Sequence, residues 1–270
     1  MSTDVHRNPL TLYQRLLQTV LMRVRPAPLA VHLKRALGTG RTVVATPSGK
    51  FWIDPVSLLG MALSRRGEHE PAMRELIERW LPSGGVFVDL GANEGYFSVL
   101  GALRCGANGR VLAIEPQQRL LPVITRNAEL NGVGWVEILN VAVADVQGSA
   151  AVHLTADTSS GGSGLHANTR YRLPTQSIET RTLCQVLDDA GLARVDLMKV
   201  DIEGFEYEAL LGSTEVFATH RVRALALELH PELLAKRGKA ASDITAMLAT
   251  SGYTASAGNG NAVWLAPGVS

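Results

Sequence analysis

The sequence predicts an α/β protein with a doubly wound sheet that is mostly parallel and has an antiparallel last strand. From residue 85 onward, short apolar segments alternate with helical patterns, which is typical of parallel strands covered on both faces. The first segment, "GVFVDLGANEGYF", passes from an apolar run into a glycine-containing turn. The last, "GYTASAGNGNAVWLAP", joins two strand-like runs through a Gly/Asn turn and predicts a closing antiparallel hairpin.

Each element is predicted from its own pattern. The stretch "RTVVATPSGKFWID" alternates around Pro-Ser-Gly and predicts a small hairpin, and "EPAMRELIERWL" predicts a helix beginning at Pro71. Five apolar strands follow in order: "GVFVDL", "RVLAIEP", "VEILNVAV", "VDLMKVD" and "VRALALELH". The helices between them are predicted at residues 94–104, at "RLLPVITRNAELN" despite its internal proline, and at "EYEALLGS". In the last of these, Glu206 and Glu208 are predicted on the exposed helix face.

Composition limits the possible classes of protein. A chain of 270 residues that is 46% hydrophobic is long and apolar enough for one substantial domain with an N-terminal extension. Its net charge of +1 argues against a dedicated nucleic-acid binder. Cys105 and Cys184 are far apart, without a second Cys or His at metal-ligand spacing, which favours a reducing cytoplasm. No apolar run approaches the roughly 18 residues that would span a bilayer.

The first 67 residues are predicted as a basic helical and hairpin extension, and residues 68–270 as the main domain. Residues 1–41 contain seven Lys or Arg residues and one acid, Asp4. Apolar residues recur near helical spacing at Leu12, Leu16, Leu17, Val20 and Val24. This basic amphipathic helix either packs on its own domain or contacts an anionic membrane or a partner. The oligomeric state is left open.

The glycine turn indicates a nucleotide-type cofactor. Ligands of doubly wound sheets bind beyond the carboxyl ends of the strands, where glycines let them approach the main chain. A dinucleotide site requires G-x-G-x-x-G, but Asn93 replaces the second glycine and Tyr96 the third. The pattern acid-x-Gly-x-Gly-x-Gly, used for S-adenosylmethionine, is matched by Asp89, Gly91 and Gly95 with that single Asn substitution. Glu115 ends the second strand, where an acid binds ribose hydroxyls in either cofactor class.

Several segments together resemble the FkbM family of S-adenosylmethionine-dependent methyltransferases. They are "FVDLGANEGYFSVL", "VLAIEPQQ", "NAELNG", "VAVAD", "LMKVDIEGFEYEALLGS" and "LALELH", and the resemblance covers about residues 68 to 265. It implies the Rossmann-like class I methyltransferase fold and methylation of a hydroxyl on a sugar, glycolipid or natural product. It also implies that Asp89, Gly91, Asn93 and Gly95 hold the methionine moiety, and that Val141 and Ala142 line the adenine. Glu115 would bind the ribose, with Pro116 shaping the turn after it at the cofactor site.

Candidate catalytic residues follow the fourth and fifth strands. An alcohol is a weak nucleophile and needs a base or a Lewis acid as its proton departs. Asp201 and His230 are the preferred bases, the latter because histidine titrates near neutrality, with Glu203 in support and Lys199 on the same face. Alternatively, Asp201, Glu228 and His230 hold a divalent metal that acidifies the hydroxyl, a reading that is less favoured.

The polar stretch from Thr155 to Ser177 is predicted to cover the acceptor. Ser163, His166, Arg170 and Arg172 suit hydrogen bonding to a polyhydroxylated or phosphate-bearing substrate, although a solvated loop without contacts is the alternative. Two other functions stay open: a nicotinamide-dependent oxidoreductase, and a non-catalytic, membrane-associated binding module with the same fold. The sequence does not separate O-methylation from N-methylation.

Overall fold

A computed structural model describes residues 40–153, 175–256 and 262–269. The predicted basic helix and the predicted substrate residues Ser163, His166, Arg170 and Arg172 lie outside the described residues, so those assignments stay predictions. Among the residues that are described, no helix combines the length and the apolar character needed to cross a bilayer.

A seven-stranded sheet forms the centre of the fold. Its strands are β3 (Val86–Leu90), β4 (Arg110–Ile114), β5 (Glu137–Leu139), β9 (Val195–Val200), β10 (Val222–Leu227), β11 (Thr254–Ser256) and β12 (Ala262–Leu265). The strand order is β11-β12-β10-β9-β3-β4-β5. Neighbours from β10 to β5 pair in parallel, whereas β12 runs antiparallel to β10 and β11. The predicted α/β sheet with an antiparallel last strand is therefore confirmed.

Strand order reverses beside β3, which makes this position the topological switch point of the sheet. The chain proceeds from β3 outward to β4 and β5, and then returns to the other side of β3 with β9 and β10. Every residue of β9 is buried, as expected for a central parallel strand covered on both faces. In such a sheet, ligands bind beyond the carboxyl ends of the strands at the reversal, here beyond β3 and β9.

Helices cover both faces of the sheet. They are α1 (Leu58–Arg66), α2 (Pro71–Trp80), α3 (Tyr96–Cys105), α4 (Leu121–Leu130), α5 (Leu183–Asp189), α6 (Glu206–Leu211), α7 (Thr214–Ala218), α8 (Pro231–Lys236) and α9 (Ala241–Thr250). A 3₁₀ turn at Gln118–Leu120 precedes α4, so Pro122 stands in the first helical turn. Proline costs no hydrogen bond there, which explains how the helix predicted through this residue forms.

The prediction of one continuous strand at "VEILNVAV" is wrong. Its first part is β5, whereas Ala142 and Val143 form β6 in a different sheet. The side-chain amide of Asn140 donates to the carbonyl oxygens of Glu115 (2.8 Å) and Pro116 (3.0 Å). Because this side chain occupies the acceptors beyond the end of β4, the chain leaves the central sheet at Asn140.

A second, three-stranded sheet follows this break. It contains β6 (Ala142–Val143), β7 (Gly148–His153) and β8 (Thr175–Arg181) in the order β6-β8-β7. Strands β7 and β8 are antiparallel, and their register places His153 opposite Thr175. The sequence interpretation did not include this sheet, and residues 175–177, predicted as part of a loop, begin β8.

The predicted N-terminal hairpin is confirmed as β1 (Thr42–Thr46) and β2 (Gly49–Ile53). It docks on α4 through two asparagine side chains. Asn127 accepts a hydrogen bond from the amide of Trp52 (2.6 Å), and Asn131 bonds both the amide and the carbonyl of Lys50 (2.8 and 2.7 Å). Because the side chain of Asn131 bonds both backbone groups of Lys50, it takes the place of a neighbouring strand at that residue.

The hairpin and α1 also share a hydrophobic core with the central sheet. Phe51 and Leu63 are buried in the same cluster as Phe87 of β3 and Val99 of α3. Helix α1, which was not predicted, begins at the cap residue Ser57, whose hydroxyl accepts from the amide of Gly60. The division of the chain at residues 67 and 68 stays a prediction, because a shared core does not define a boundary.

Candidate active site

The turn after β3 adopts a left-handed backbone at its three predicted cofactor positions. The φ angles are 88° at Gly91, 50° at Asn93 and 79° at Gly95. Asparagine enters this region more easily than other non-glycine residues, which accounts for Asn93 in a place where the pattern has glycine. At Gly91 a side chain is excluded as well, since a Cβ atom there would lie 1.9 Å from the carbonyl oxygen of Asp201.

A buried ion pair between Asp89 and Lys199 supports this turn. The carboxylate of Asp89 is fully buried, accepts a hydrogen bond from Ser98 (2.6 Å), and lies 3.2 Å from Nζ of Lys199. The same Nζ donates to the carbonyl oxygen of Gly91 (3.0 Å). Burial lowers the pKa of Lys199, but the carboxylates of Asp89 and Asp201 outweigh burial and raise it above its usual value. Lys199 therefore stays cationic at neutral pH and positions the turn, which leaves it no capacity to accept a proton.

Glu115 joins the second strand to the glycine turn. One carboxylate oxygen accepts from the amide of Asn93 (2.8 Å) and the other from the amide of Gln117 (2.9 Å). Burial raises the pKa of Glu115 to about 7, and these two hydrogen bonds oppose the rise only in part. The carboxylate of Glu115 therefore lies within hydrogen-bonding distance of the glycine turn, and its ribose-binding role stays a prediction.

The predicted adenine side of the crevice is built differently from expectation. Val141 and Ala142 are buried, but they lie at the start of the second sheet and not at the end of the third strand of the central sheet. Pro116 follows Glu115, and its carbonyl is held by Asn140. The cofactor roles of Pro116, Val141 and Ala142 therefore stay predictions. The break at Asn140 sets the positions of these three residues.

An acidic cluster lies at the carboxyl ends of β9 and β10. It consists of Asp201, Glu203, Glu206, Glu228 and His230. In His230, Nδ1 lies 2.8 Å from Oε1 of Glu206, while Nε2 lies 3.8 Å from Asp201 and 3.7 Å from Glu203. Glu203 holds a left-handed backbone with φ of 54°. The preferred bases Asp201 and His230, and the supporting Glu203, are therefore neighbours in space.

Hydrogen bonding and burial alter the titration of this cluster. The hydrogen bond that Nδ1 of His230 donates to Glu206 raises the pKa of His230 to about 9, against an opposing effect of burial. Burial raises the pKa of Glu203 to about 7, an effect that His230 counteracts, and burial also raises the pKa of Glu228. The expectation that His230 titrates near neutrality therefore does not hold in this structure, where the imidazole is protonated at pH 7.

Two predictions about carboxylates are corrected. Glu206, expected on an exposed helix face, is fully buried and bonds His230. Glu208 is also largely covered, and it pairs with Arg237 at 2.7 Å. Among the described residues, the group with metal-ligand spacing contains Asp201, Glu203 and His230 rather than the predicted Glu228.

The acidic cluster adjoins the glycine turn. The amide of Asp201 donates to the carbonyl oxygen of Leu90 (3.1 Å), at the last residue of β3. The Asp201 carboxylate is 3.8 Å from Lys199, which also holds the Gly91 carbonyl. A ligand on the turn and a second ligand at the cluster would therefore meet.

Sequence reasoning missed His69 and Glu70, which precede α2. The ring of His69 stacks on Phe97, with centroids 6.0 Å apart, and its Nε2 lies 3.0 Å from Oε1 of Glu70. This hydrogen bond lowers the pKa of Glu70, with Lys199 contributing a smaller lowering. Glu70 also contributes to the raised pKa of Glu228. In the sequence, Glu70 before Pro71 indicated only the start of a helix.

Strand order and turn together define a Rossmann-like class I methyltransferase fold. A sequence profile of the methyltransferase FkbM domain matches residues 89–255, which is more than half of the chain. The protein therefore belongs to the FkbM methyltransferase family.

Individual relatives cover the chain to different extents. AMB antimetabolite synthetase AmbE of Pseudomonas aeruginosa is 30% identical over 61% of this chain, but this chain spans only 9% of that protein. Hexuronic acid methyltransferase AglP of Haloferax volcanii is 26% identical, with 72% of this chain and 78% of AglP covered. A crystal structure of methyltransferase FkbM from Methylobacillus flagellatus KT aligns with 94% of this chain, and the alignment covers 59% of the chain in that crystal structure. The sequence identity is 14% and the TM-score is 0.43.

Proposed function

We propose that the protein is an S-adenosylmethionine-dependent O-methyltransferase that acts on a hydroxyl of a sugar, glycolipid or natural-product acceptor. The observation that carries this proposal is the contact between the Gly91 turn and Asp201, where a Cβ atom would lie 1.9 Å from the neighbouring carbonyl oxygen. A methyl donor held by the turn would therefore have proton-accepting groups directly beside it.

The cofactor roles follow from the shape of the turn and its acceptor groups. The amides of Asn93 and Gly95 donate within the protein, to Glu115 and to the carbonyl oxygen of Ala92. The carbonyl oxygens of the turn, each with two lone pairs, would accept from the ammonium group of the methionine moiety. The amides of Asn93 and Gln117 hold the carboxylate of Glu115 at the turn, where ribose hydroxyls would donate to it. Asp89 would act indirectly, through Lys199 and the carbonyl of Gly91.

Methyl transfer from a sulfonium is an in-line displacement. The acceptor oxygen forms a bond to the methyl carbon, the bond between that carbon and sulfur breaks, and its electron pair remains on sulfur. The hydroxyl proton passes to a carboxylate of the acidic cluster, so the products are S-adenosylhomocysteine and a methyl ether. Most of the rate gain would come from aligning the three reacting atoms, with proton removal contributing about 10²–10⁴-fold.

Similarity to the hexuronic acid methyltransferase AglP supports a sugar-type acceptor. A uronic acid or a phosphorylated sugar would require cationic partners, and the predicted Arg170 and Arg172 supply that chemistry. Ser163 and His166 would bind neutral hydroxyls. Cys105 and Cys184 are both free thiols, which supports the predicted cytoplasmic location.

Two measurements test the function. Calorimetry should detect S-adenosylhomocysteine but not NAD, because Asn93 and Tyr96 break the dinucleotide pattern. A labelled methyl donor should then transfer its methyl group to a member of a panel of sugars, sugar acids and natural-product alcohols. Binding of NAD alone would reverse the assignment in favour of an oxidoreductase. Cofactor binding without turnover on any acceptor would favour the non-catalytic module.

Replacement of Asp201 by Asn separates catalysis from binding. The variant should lower kcat by about 10²-fold or more while changing the affinity for S-adenosylhomocysteine little, because Asp201 faces the acceptor side. A variant with unchanged kcat on the true acceptor would show that the acidic cluster takes no part in proton removal. Deletion of residues 1–25, followed by liposome sedimentation, tests the predicted membrane contact separately.

A further inference from the structure

We propose that Asp201, Glu203 and His230 bind one divalent cation beside the glycine turn. Each of the three offers one ligand atom, and these atoms lie within 4.8 Å of one another. Nε2 of His230 is 3.8 Å from Oδ1 of Asp201 and 3.7 Å from Oε2 of Glu203. Both separations exceed hydrogen-bonding distance, and they suit three ligands arranged around a common ion.

Glu206 provides an independent observation that indicates a metal ligand. Its side chain is fully buried and directed at the cluster, with Oε1 2.8 Å from Nδ1 of His230. Its other oxygen, Oε2, is buried without a hydrogen-bond partner among the described residues. A histidine that binds a metal almost always donates its second ring N–H to a carboxylate or carbonyl, which fixes the ring orientation. Glu206 has this relation to His230 and leaves Nε2 facing the two carboxylates.

The charge balance of the cluster also favours a cation. Asp201, Glu203, Glu206 and Glu228 carry four formal negative charges, and His230 would bind the ion as a neutral imidazole after losing its Nε2 proton. Lys199 is 3.8 Å from Asp201, but it is closer to the buried Asp89, at 3.2 Å, and neutralises that carboxylate first. Uncompensated carboxylates at a partly buried site are costly, and a divalent ion would offset two of their charges.

Two carboxylates and one imidazole form a donor set that suits Mn²⁺ or Mg²⁺ with further oxygen ligands. Three protein ligands leave other coordination positions of the ion for the acceptor. A role of the ion in binding the acceptor rests on the proposed methyl transfer. The cation would bind the acceptor oxygen and lower the pKa of its hydroxyl, while Glu228, outside the ligand group, receives the proton. Asp201 would then act as a ligand to the ion.

Binding of Mn²⁺ tests the proposal without any acceptor. The full-length protein, treated with EDTA and dialysed, is titrated with Mn²⁺ and followed by electron paramagnetic resonance and calorimetry. We expect one Mn²⁺ per chain, with nitrogen coupling in the pulsed spectrum from the imidazole. Asp201→Asn and His230→Gln should abolish saturable binding, and the nitrogen coupling should vanish with the latter. Glu206→Gln should weaken binding about 10–100-fold.

Glu232→Gln is the matched control, because Glu232 is an exposed carboxylate two residues beyond His230. It should bind Mn²⁺ like the unaltered protein. Calorimetry with S-adenosylhomocysteine verifies that each variant is folded, and Glu203→Gln replaces any variant that fails this check. If the unaltered protein binds S-adenosylhomocysteine but no Mn²⁺, or if Mn²⁺ binding survives both Asp201→Asn and His230→Gln, the metal site is refuted while the methyltransferase proposal stands. If the unaltered protein does not bind S-adenosylhomocysteine, that result would instead refute the proposed function.

Discussion

Cofactor affinity should depend on pH through Glu115, and Glu115→Gln should remove that dependence. In its proposed role, Glu115 would accept hydrogen bonds from the ribose hydroxyls in its ionised form, whereas burial raises the pKa of this group to about 7. Because the ligand favours the charged form, affinity is complete above the raised pKa and falls as the pH drops below it. Lys199 is the cation that acts on Glu115, and its own raised pKa keeps its charge constant over this range.

The expected magnitude follows from the ionised fraction. With a pKa of about 7, roughly nine-tenths of Glu115 is ionised at pH 8 and roughly one-tenth at pH 6. The Kd for S-adenosylhomocysteine should therefore rise about tenfold between these values. At pH 8, Glu115→Gln should bind about 10–100-fold more weakly, since hydrogen bonds to a charged group contribute about 1.5–3 kcal/mol. Its affinity should be nearly constant from pH 6 to pH 8.

Isothermal titration calorimetry across this pH range supplies the measurement. Glu137→Gln is the matched control, because Glu137 is an exposed carboxylate on the neighbouring strand whose partner is Arg110 at 2.6 Å. It should retain the tenfold pH effect. An equally steep pH dependence in Glu115→Gln would refute the reasoning, because another group would then control the affinity.

Three further perturbations test the turn, its support and the N-terminal hairpin. Gly91→Ala should weaken S-adenosylhomocysteine binding about 10–100-fold in calorimetry, whereas Gly84→Ala, with a similar φ of 71° but no atom within 4 Å of the added Cβ, should not. Lys199→Met leaves a buried carboxylate without its cation and should lower the free energy of unfolding by about 3–5 kcal/mol in urea; a change below 1 kcal/mol would contradict the buried pair. Phe51→Ala should cost about 3–5 kcal/mol in one cooperative transition, while the exposed Val43→Ala costs under about 1 kcal/mol; a separate early transition would mean that the hairpin unfolds on its own.

Local patterns were sufficient for the sheet and the cofactor turn. The apolar runs ending at Leu90, Ile114 and Val200 are short and bounded by turn residues, so their strand character is encoded within each run. The spacing of Gly91 and Gly95 likewise predicted a glycine-containing turn, because glycine adopts backbone conformations that other residues avoid.

Long-range contacts decided what the sequence did not predict. Asn140 follows the last residue of β5, and its amide donates to carbonyls more than twenty residues earlier in the chain, a contact that no local pattern predicts. Glu206 has the sequence environment of an exposed helix residue, but it is buried and bonded to His230, which follows a different strand. The prediction that His230 titrates near neutrality was wrong for the same reason, since carboxylates from separate elements of the fold raise its pKa.

The register of β7 and β8 brings two ends of the chain together. His153 and Thr175 are cross-strand partners, so the end of β7 lies beside the start of β8. If the residues between them bind the acceptor, as proposed, segments of other lengths could be exchanged at these two positions without separating the strands, since closing a flexible loop costs only about 0.6 kcal/mol more for each doubling of its length.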